Sequence, residues 1–145
     1  MYNVGMRFMG NREDAEDIVQ DSFIDAFRKL DSFKYESSFG AWLKRIVINK
    51  CINALKANRI SSIPINRNEL ISEDNEGVDD TAVDIERLKL GISRLPIGYK
   101  QIINLYLIDG YDHGEIGEIL GIATSTSKSQ YHRAKKKLIL ILKEL

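Results

Sequence analysis

Cysteine is scarce: Cys51 stands alone in 145 residues, so no internal disulfide can form. Histidine is nearly as rare, and His113 and His132 fall in different predicted elements. One thiol and two separated imidazoles are too few for a metal centre, and neither metal nor cofactor is expected. Cys51 lies in an apolar helical pattern and reads as packing rather than as a nucleophile. Long apolar runs are also lacking; residues 138–142 form one of the longest, far too short to span a bilayer. No basic-then-apolar leader opens the chain, which predicts a cytoplasmic protein with no membrane insertion. Sustained period-two alternation is absent too, so half-buried strands are not expected.

What is present is helical periodicity and an uneven charge pattern under a net charge of zero. Residues 44–68 carry six cations (Lys44, Arg45, Lys50, Lys56, Arg59, Arg67) and no acid, and residues 69–86 carry eight acids and no cation. Residues 127–145 hold six cations against Glu144 alone. Two basic segments of this kind point to two surfaces that meet a polyanion.

The pattern predicts an all-α protein of two small helical domains joined by a flexible acidic linker. The first domain covers residues 1–60, the linker 61–83 and the second domain 84–145. In the first, residues 11–30 form a helix that Asn11 can cap, with Glu13 and Asp14 complementing the dipole. Ala15, Ile18, Val19, Phe23, Ala26, Phe27 and Leu30 supply its expected apolar face. Asp14, Asp17, Asp21 and Asp25 run down the opposite side. A polar break at 31–38 precedes a second helix, 39–58, whose expected core residues are Trp42, Leu43, Ile46, Val47, Cys51, Ile52 and Leu55. The linker holds Pro64, Gly77 and the acids Glu69, Glu73, Asp74, Glu76, Asp79 and Asp80, a composition that cannot order itself unaided.

The second domain reads as four helices, 84–95, 97–109, 112–120 and 124–143, with Pro96 in a first turn and Gly110 and Gly121 ending helices. Its last two helices and the glycine between them have helix-turn-helix spacing. Asp112 with Glu115 resembles a capping box. Ile116, Ile119 and Leu120 face inward, Gly117 admits a partner helix, and Ile122 inserts under the joint. Tyr131, Ala134, Leu138 and Ile141 continue a buried stripe along the last helix. The opposite stripe, Ser125, Lys128, Ser129, His132, Arg133 and Lys136, offers hydroxyls, an imidazole and cations. That set reaches base edges and phosphates together, although a solvated helix face has the same composition.

The string GYDHGEIGEILGI, followed by TSKSQYHRAKKKL, resembles region four of the extracytoplasmic-function (ECF) sigma factors of bacterial RNA polymerase. NREDAEDIVQDSFIDAFRKLDSF and SSFGAWLKRIVINKCINALK resemble that family's region two. The resemblance implies a factor without catalysis of its own that binds core RNA polymerase and directs promoter-specific initiation. Asp14, Asp17, Gln20, Asp21 and Asp25 would dock on the clamp helices of the largest subunit, and the flap is a further polymerase contact implied. The loop 31–38 would capture a flipped base of the minus-ten element, with Phe33, Tyr35 and Phe39 lining it. Arg45, Asn49, Lys50, Asn53 and Lys56 would contact melted DNA, and Trp42 would pack. Thr124 and Ser125 would approach the backbone of the minus-thirty-five duplex, with Lys128, Ser129, His132 and Arg133 in its major groove and Lys136 as a further duplex contact. An anti-sigma factor is the further partner implied.

Several positions depart from the family pattern. A further helix is usual ahead of the point matching Met1. Ser127 stands where valine is frequent and Gln130 where arginine is. Ala123 is a poor cap, which moves the expected cap to Thr124. Two rival readings remain open at this point. One is a helix-turn-helix repressor or activator that ignores polymerase. The other is an enzyme with a DNA-binding tail, although the sequence offers no convincing acid–base pair or nucleophile for it.

Overall fold

The computed structural model describes the backbone of residues 1–61 and 80–145, and side chains outside 59–83. Most of the expected linker, with Glu69, Glu73, Asp74, Glu76 and Asp79, lies outside the described residues. All regular structure among the described residues is helical: α1 (Tyr2–Met9), α2 (Arg12–Arg28), α3 (Phe39–Ser61), α4 (Asp80–Ser93), α5 (Ile97–Ile103), α6 (His113–Leu120) and α7 (Thr124–Glu144). A short 3-10 turn spans Leu30–Ser32, and a π-helical turn, Asn104–Ile108, extends α5. The chain falls into two compact units, Met1–Ile71 and Ser72–Leu145.

In the first unit α1, α2 and α3 pack on one another. The sequence pattern gave no helix at 2–9, yet α1 forms there and buries Val4 and Phe8. Asn11 caps α2 as expected: its Oδ1 accepts the Asp14 N–H at 2.9 Å. The inward face of α2 matches the expected one only in part. Ala15, Ser22 and Ala26 are buried, whereas Phe23, Phe27 and Leu30 are exposed, Phe27 by 69%. Small residues let the α2 backbone come close to its neighbours, and Ser22 satisfies its buried hydroxyl by donating to the Ile18 carbonyl at 2.6 Å. Ala15 and Ala26 thus lie inside as expected, with Ile18 and Val19 partly buried, and it is the bulky Phe23, Phe27 and Leu30 that do not. The face of α3 is close to expectation: Leu43, Val47, Cys51, Ile52 and Leu55 are buried, joined by Ile48. Burial pushes the Cys51 thiol up to about 12, so the protonated, unreactive form persists at neutral pH.

The second unit is built around α7, which packs on α4, α5 and α6. Helix α4 begins at Asp80, four residues before the expected start at 84. Ile92, Leu95, Ile103, Ala134 and Leu138 form the core, flanked by Tyr99, Tyr131, Ile141 and Leu142. Arg87 donates to the carbonyls of Leu142 and Leu145, placing a cation at the C-terminal end of α7.

The joint between α6 and α7 follows from glycine geometry. Gly121 ends α6 with φ +70°, a left-handed conformation that L side chains rarely adopt. Gly117 is buried, but the close approach is not to a partner helix as expected. A Cβ there would stand 2.7 Å from the Ile122 carbonyl oxygen, so the turn itself folds back onto α6. The Ile122 N–H donates to the Gly117 carbonyl at 3.0 Å and closes it. Asp112 caps α6, accepting from the Glu115 N–H at 2.8 Å, and that bond holds the Asp112 carboxyl below its ordinary range. Helix α7 is not capped by Thr124. Ala123 holds the cap position without a side-chain acceptor, and Thr124 is the first helical residue.

Candidate nucleic-acid interface

Helix α7 places Thr124, Ser125, Lys128, Ser129, His132, Arg133 and Lys136 on exposed positions at three- and four-residue steps. Ala134 and Leu138, on the other side, anchor the helix in the core. Lys128, Arg133 and Lys136 have no ion-pair partner among the described residues, so their charges face solvent. The Ser129 hydroxyl donates back to the Ser125 carbonyl at 3.0 Å and keeps acceptor capacity outward. Without a side-chain cap, the first-turn N–H groups of α7 suit a phosphate oxygen. This combination suits duplex DNA: a helix narrow enough for the major groove, cations for phosphate and small polar groups for base edges.

Beneath the stripe, Ser127 is fully buried and its Oγ lies 2.8 Å from His113 Nδ1 on α6. The His113 ring stacks on Tyr106, with centroids 4.6 Å apart and planes at 15°. Tyr131 of α7 completes the group, 4.4 Å from Tyr106. Burial and that neighbour raise the Tyr131 phenol above its ordinary value, keeping it neutral. Ser127 was noted in the sequence only as a departure from valine; its partner sits fourteen residues away and has no signal in local periodicity.

On the first unit, the loop after α2 gathers an aromatic group. Phe33 is half-buried at its centre, with ring centroids 4.7 Å from Tyr35, 6.0 Å from Phe39 and 5.0 Å from Trp42. Tyr35 is 86% exposed and has φ +59°, an unusual conformation for a side chain that large. Trp42 packs on Phe39 and Phe33, so the expected packing residue and the expected loop residues form one surface. The Ser38 Oγ accepts the Ala41 N–H at 3.1 Å and starts α3 directly behind the loop.

The expected polar contacts along α3 separate into two kinds. Asn49, Asn53 and Lys56 are exposed on one side. Arg45 is half-buried and has interactions within the protein. Lys50 pairs with Asp25 across α2 and α3, Nζ to Oδ2 at 2.6 Å, and holds the Asp25 carboxyl below its ordinary range. Asp25 was expected on the docking face together with Asp14, Asp17, Gln20 and Asp21. Asp17, Gln20 and Asp21 are exposed, while Asp14 is partly buried and bonded to Asn11. Exposed Ile24 and Phe27 continue that row as an apolar extension, and of the two Phe27 was expected to face inward.

Residues 1–60 match the Sigma-70 region 2 model and residues 85–138 the Sigma-70, region 4 model. ECF RNA polymerase sigma factor SigW of Bacillus subtilis is 31% identical, covering 100% of this chain and 84% of that protein. The ECF RNA polymerase sigma-E factor of Haemophilus influenzae is 33% identical over 87% of this chain and 73% of its own length. ECF RNA polymerase sigma factor SigM of Mycobacterium tuberculosis is 29% identical, and the chain spans 65% of it. Among solved structures, the sigma factor RpoE of Bartonella quintana, crystallised with the anti-sigma factor NepR, is similar with a TM-score of 0.73 and 26% identity, over 98% of this chain and 89% of that one. A repressor working through duplex contacts alone would not account for a region 2 match over the first unit. Both region matches in this order, with relatives that share most of their length with it, make the chain a member of the ECF group of sigma-70 family RNA polymerase sigma factors.

Proposed function

We propose that the chain directs promoter-specific initiation by giving core RNA polymerase two DNA contacts, one on each unit, with no catalysis of its own. Supporting this is the exposure of the whole stripe Thr124, Ser125, Lys128, Ser129, His132, Arg133 and Lys136 on a helix anchored by its other face. In this reading α7 lies in the major groove of the minus-thirty-five duplex. The aromatic loop receives an unstacked minus-ten base, with Phe33 as floor and Tyr35 as the exposed wall. Asn49, Asn53 and Lys56 follow the single strand beyond it, with Arg45 and Lys50 supporting that track from within the unit.

The exposed row Asp17, Gln20, Asp21, Ile24 and Phe27 is the docking face for the clamp helices of the polymerase's largest subunit, and Asp14 and Asp25 fix the helix that carries it. Acidic and apolar groups in one patch suit a partner that is both basic and apolar. The flap is the contact for the second unit, and an anti-sigma factor that masks these faces is the regulating partner. The site of action is the cytoplasm; no described helix is long and apolar enough to cross a membrane.

Co-elution with bacterial core polymerase, followed by transcription from candidate promoters, tests the proposal. Binding with promoter-dependent transcripts supports it. A chain that never joins core polymerase, yet protects palindromic duplex sites, returns the reading to a repressor.

A further inference from the structure

The surfaces above account for the outside of α7 but not for the polar atoms beneath it. Helix α6 packs on α7 and buries Ile116 and Ile119, and apolar burial of this kind opposes separation of packed helices. It does little against sliding, because dispersion and desolvation are non-directional. A hydrogen bond is directional and short-ranged. The Ser127 Oγ to His113 Nδ1 contact, at 2.8 Å, crosses from the start of α6 to the first turns of α7. Ser127 is wholly buried, so no solvent competes for its hydroxyl.

The imidazole is itself held in place. Tyr106 lies parallel to it at 4.6 Å, and Tyr106 is carried by the π-helical turn Asn104–Ile108. Tyr131, one turn beyond Ser127 on α7, touches both rings, with centroids at 4.4 and 5.7 Å. Three elements thus meet at one polar, aromatic joint. Ser127 adjoins Lys128 and sits within a turn of Thr124 and Ser125, so the joint lies under the amino-terminal end of the exposed stripe.

We infer that His113 is a positioning residue for promoter discrimination: through Ser127 it fixes where α7 stands along α6, and so which base edges Lys128, Ser129 and His132 reach. This rests on α7 being the duplex-reading helix. Base contacts fail with displacements of well under 1 Å in hydrogen-bond length, whereas phosphate contacts tolerate them. Loosening the joint therefore removes discrimination while sparing general affinity for DNA. Ser127 can donate to a bare Nδ1 or accept from a protonated one, so the bond closes in either tautomer.

The test uses the full-length chain in four forms: wild type, His113→Phe, Ser127→Val and the double variant. Wild type is first used to enrich duplexes from a randomised library. Dissociation constants are then measured for the enriched duplex and a scrambled one. A partly unfolded variant loses affinity for both duplexes by one factor, so their ratio is insensitive to stability alone. Each single variant leaves one polar atom of the joint without its partner and should lower the ratio about tenfold. The scrambled duplex should bind within about twofold of wild type in every form. The double variant, which replaces both polar partners by apolar groups, should recover most of the ratio. Single variants with an unchanged ratio, or a double variant no better than either single, would overturn the positioning role. A wild-type chain that enriches no sequence overturns duplex reading by α7 itself, a failure visible before any variant is made.

Discussion

The two units present their charges in different ways. On α7 the cations Lys128, Arg133 and Lys136 project from one exposed stripe without internal ion pairs among the described residues. On α3 a comparable set is divided: Lys56 is exposed, Lys50 is joined to Asp25, and Arg45 is partly buried. A duplex groove demands a rigid helix with free charge, because phosphate positions are fixed by the double helix. A single strand is flexible and follows a track, so fewer free cations and a stacking surface suffice. In the proposed reading, the aromatic group of Phe33, Tyr35, Phe39 and Trp42 serves as this second kind of surface. The comparison teaches that basic composition marks a candidate surface for a polyanion, while internal pairing decides which of its cations are available.

The most severe way to break the comparison is through the second unit's turn. Gly117→Ala would drive a Cβ to 2.7 Å from the Ile122 carbonyl oxygen, and backbone cannot swing aside as a side chain can. A cost of about 3 kcal/mol, the upper end for overpacking, is expected. Calorimetry should show the second unit's transition lowered and the first unit's unchanged; a variant that melts like wild type would mean that the turn opens freely. Next in size is Arg133→Ala, which should cost duplex binding about 1–3 kcal/mol without changing the melting temperature. If only affinity falls, Arg133 meets phosphate; if base preference at one position also relaxes, it reads that base. Equal binding by wild type and variant removes it from the interface.

Smaller effects sharpen the account of the first unit. Asn11→Ala removes the α2 cap and should cost about 1 kcal/mol, read as a lower denaturation midpoint with an unchanged slope. Phe27→Asp acts on a side chain 69% exposed. Stability should stay within about 0.5 kcal/mol of wild type, while co-elution with core polymerase weakens. Intact co-elution would restrict docking to the acidic part of the row.

How much of this was legible in the sequence depends on whether neighbours along the chain decided the outcome. The Asn11 and Asp112 caps, the Gly121 turn and the α7 stripe are local, set by residues within about one or two turns, and the structure places them as periodicity implies. The inward face of α2 was legible at Ala15 and Ala26 but not at Ser22, and bulk misplaced Phe23 and Phe27. Phe23 and Phe27 outweigh Ala15, Ser22 and Ala26 in hydrophobicity, but close helix packing selects for small size. A spacing of seven and then four residues among Ala15, Ser22 and Ala26 was the signal available. The Asp25–Lys50 and His113–Ser127 contacts join residues 25 and 14 positions apart, and only tertiary packing brings them together. Ala123, by contrast, was identified as a poor cap, and the helix simply starts without one rather than shifting its cap to Thr124.

The smallest effect tests the division of α3 most closely. Each cation that meets single-stranded DNA contributes about 0.7 to the slope of log affinity against log salt. Lys56→Met should therefore reduce that slope by about 0.7 in a complex of the chain, core polymerase and melted promoter DNA. Lys50→Met should leave the slope unchanged and show its effect in stability against pH instead. Lys50 holds the Asp25 carboxyl below its ordinary value, so their pairing stabilises the fold above the unfolded carboxylate range and fades as pH falls through the lower folded value. Wild type should lose this contribution on acidification below about pH 4, the ordinary carboxylate range, while Lys50→Met, having none to lose, has a shallower acid limb. Should Lys50→Met lower the salt slope as much as Lys56→Met, the pair opens when DNA arrives and Asp25 serves as a latch on a DNA-binding cation. In that case the two basic helices would differ in when their charges become available rather than in how many they expose.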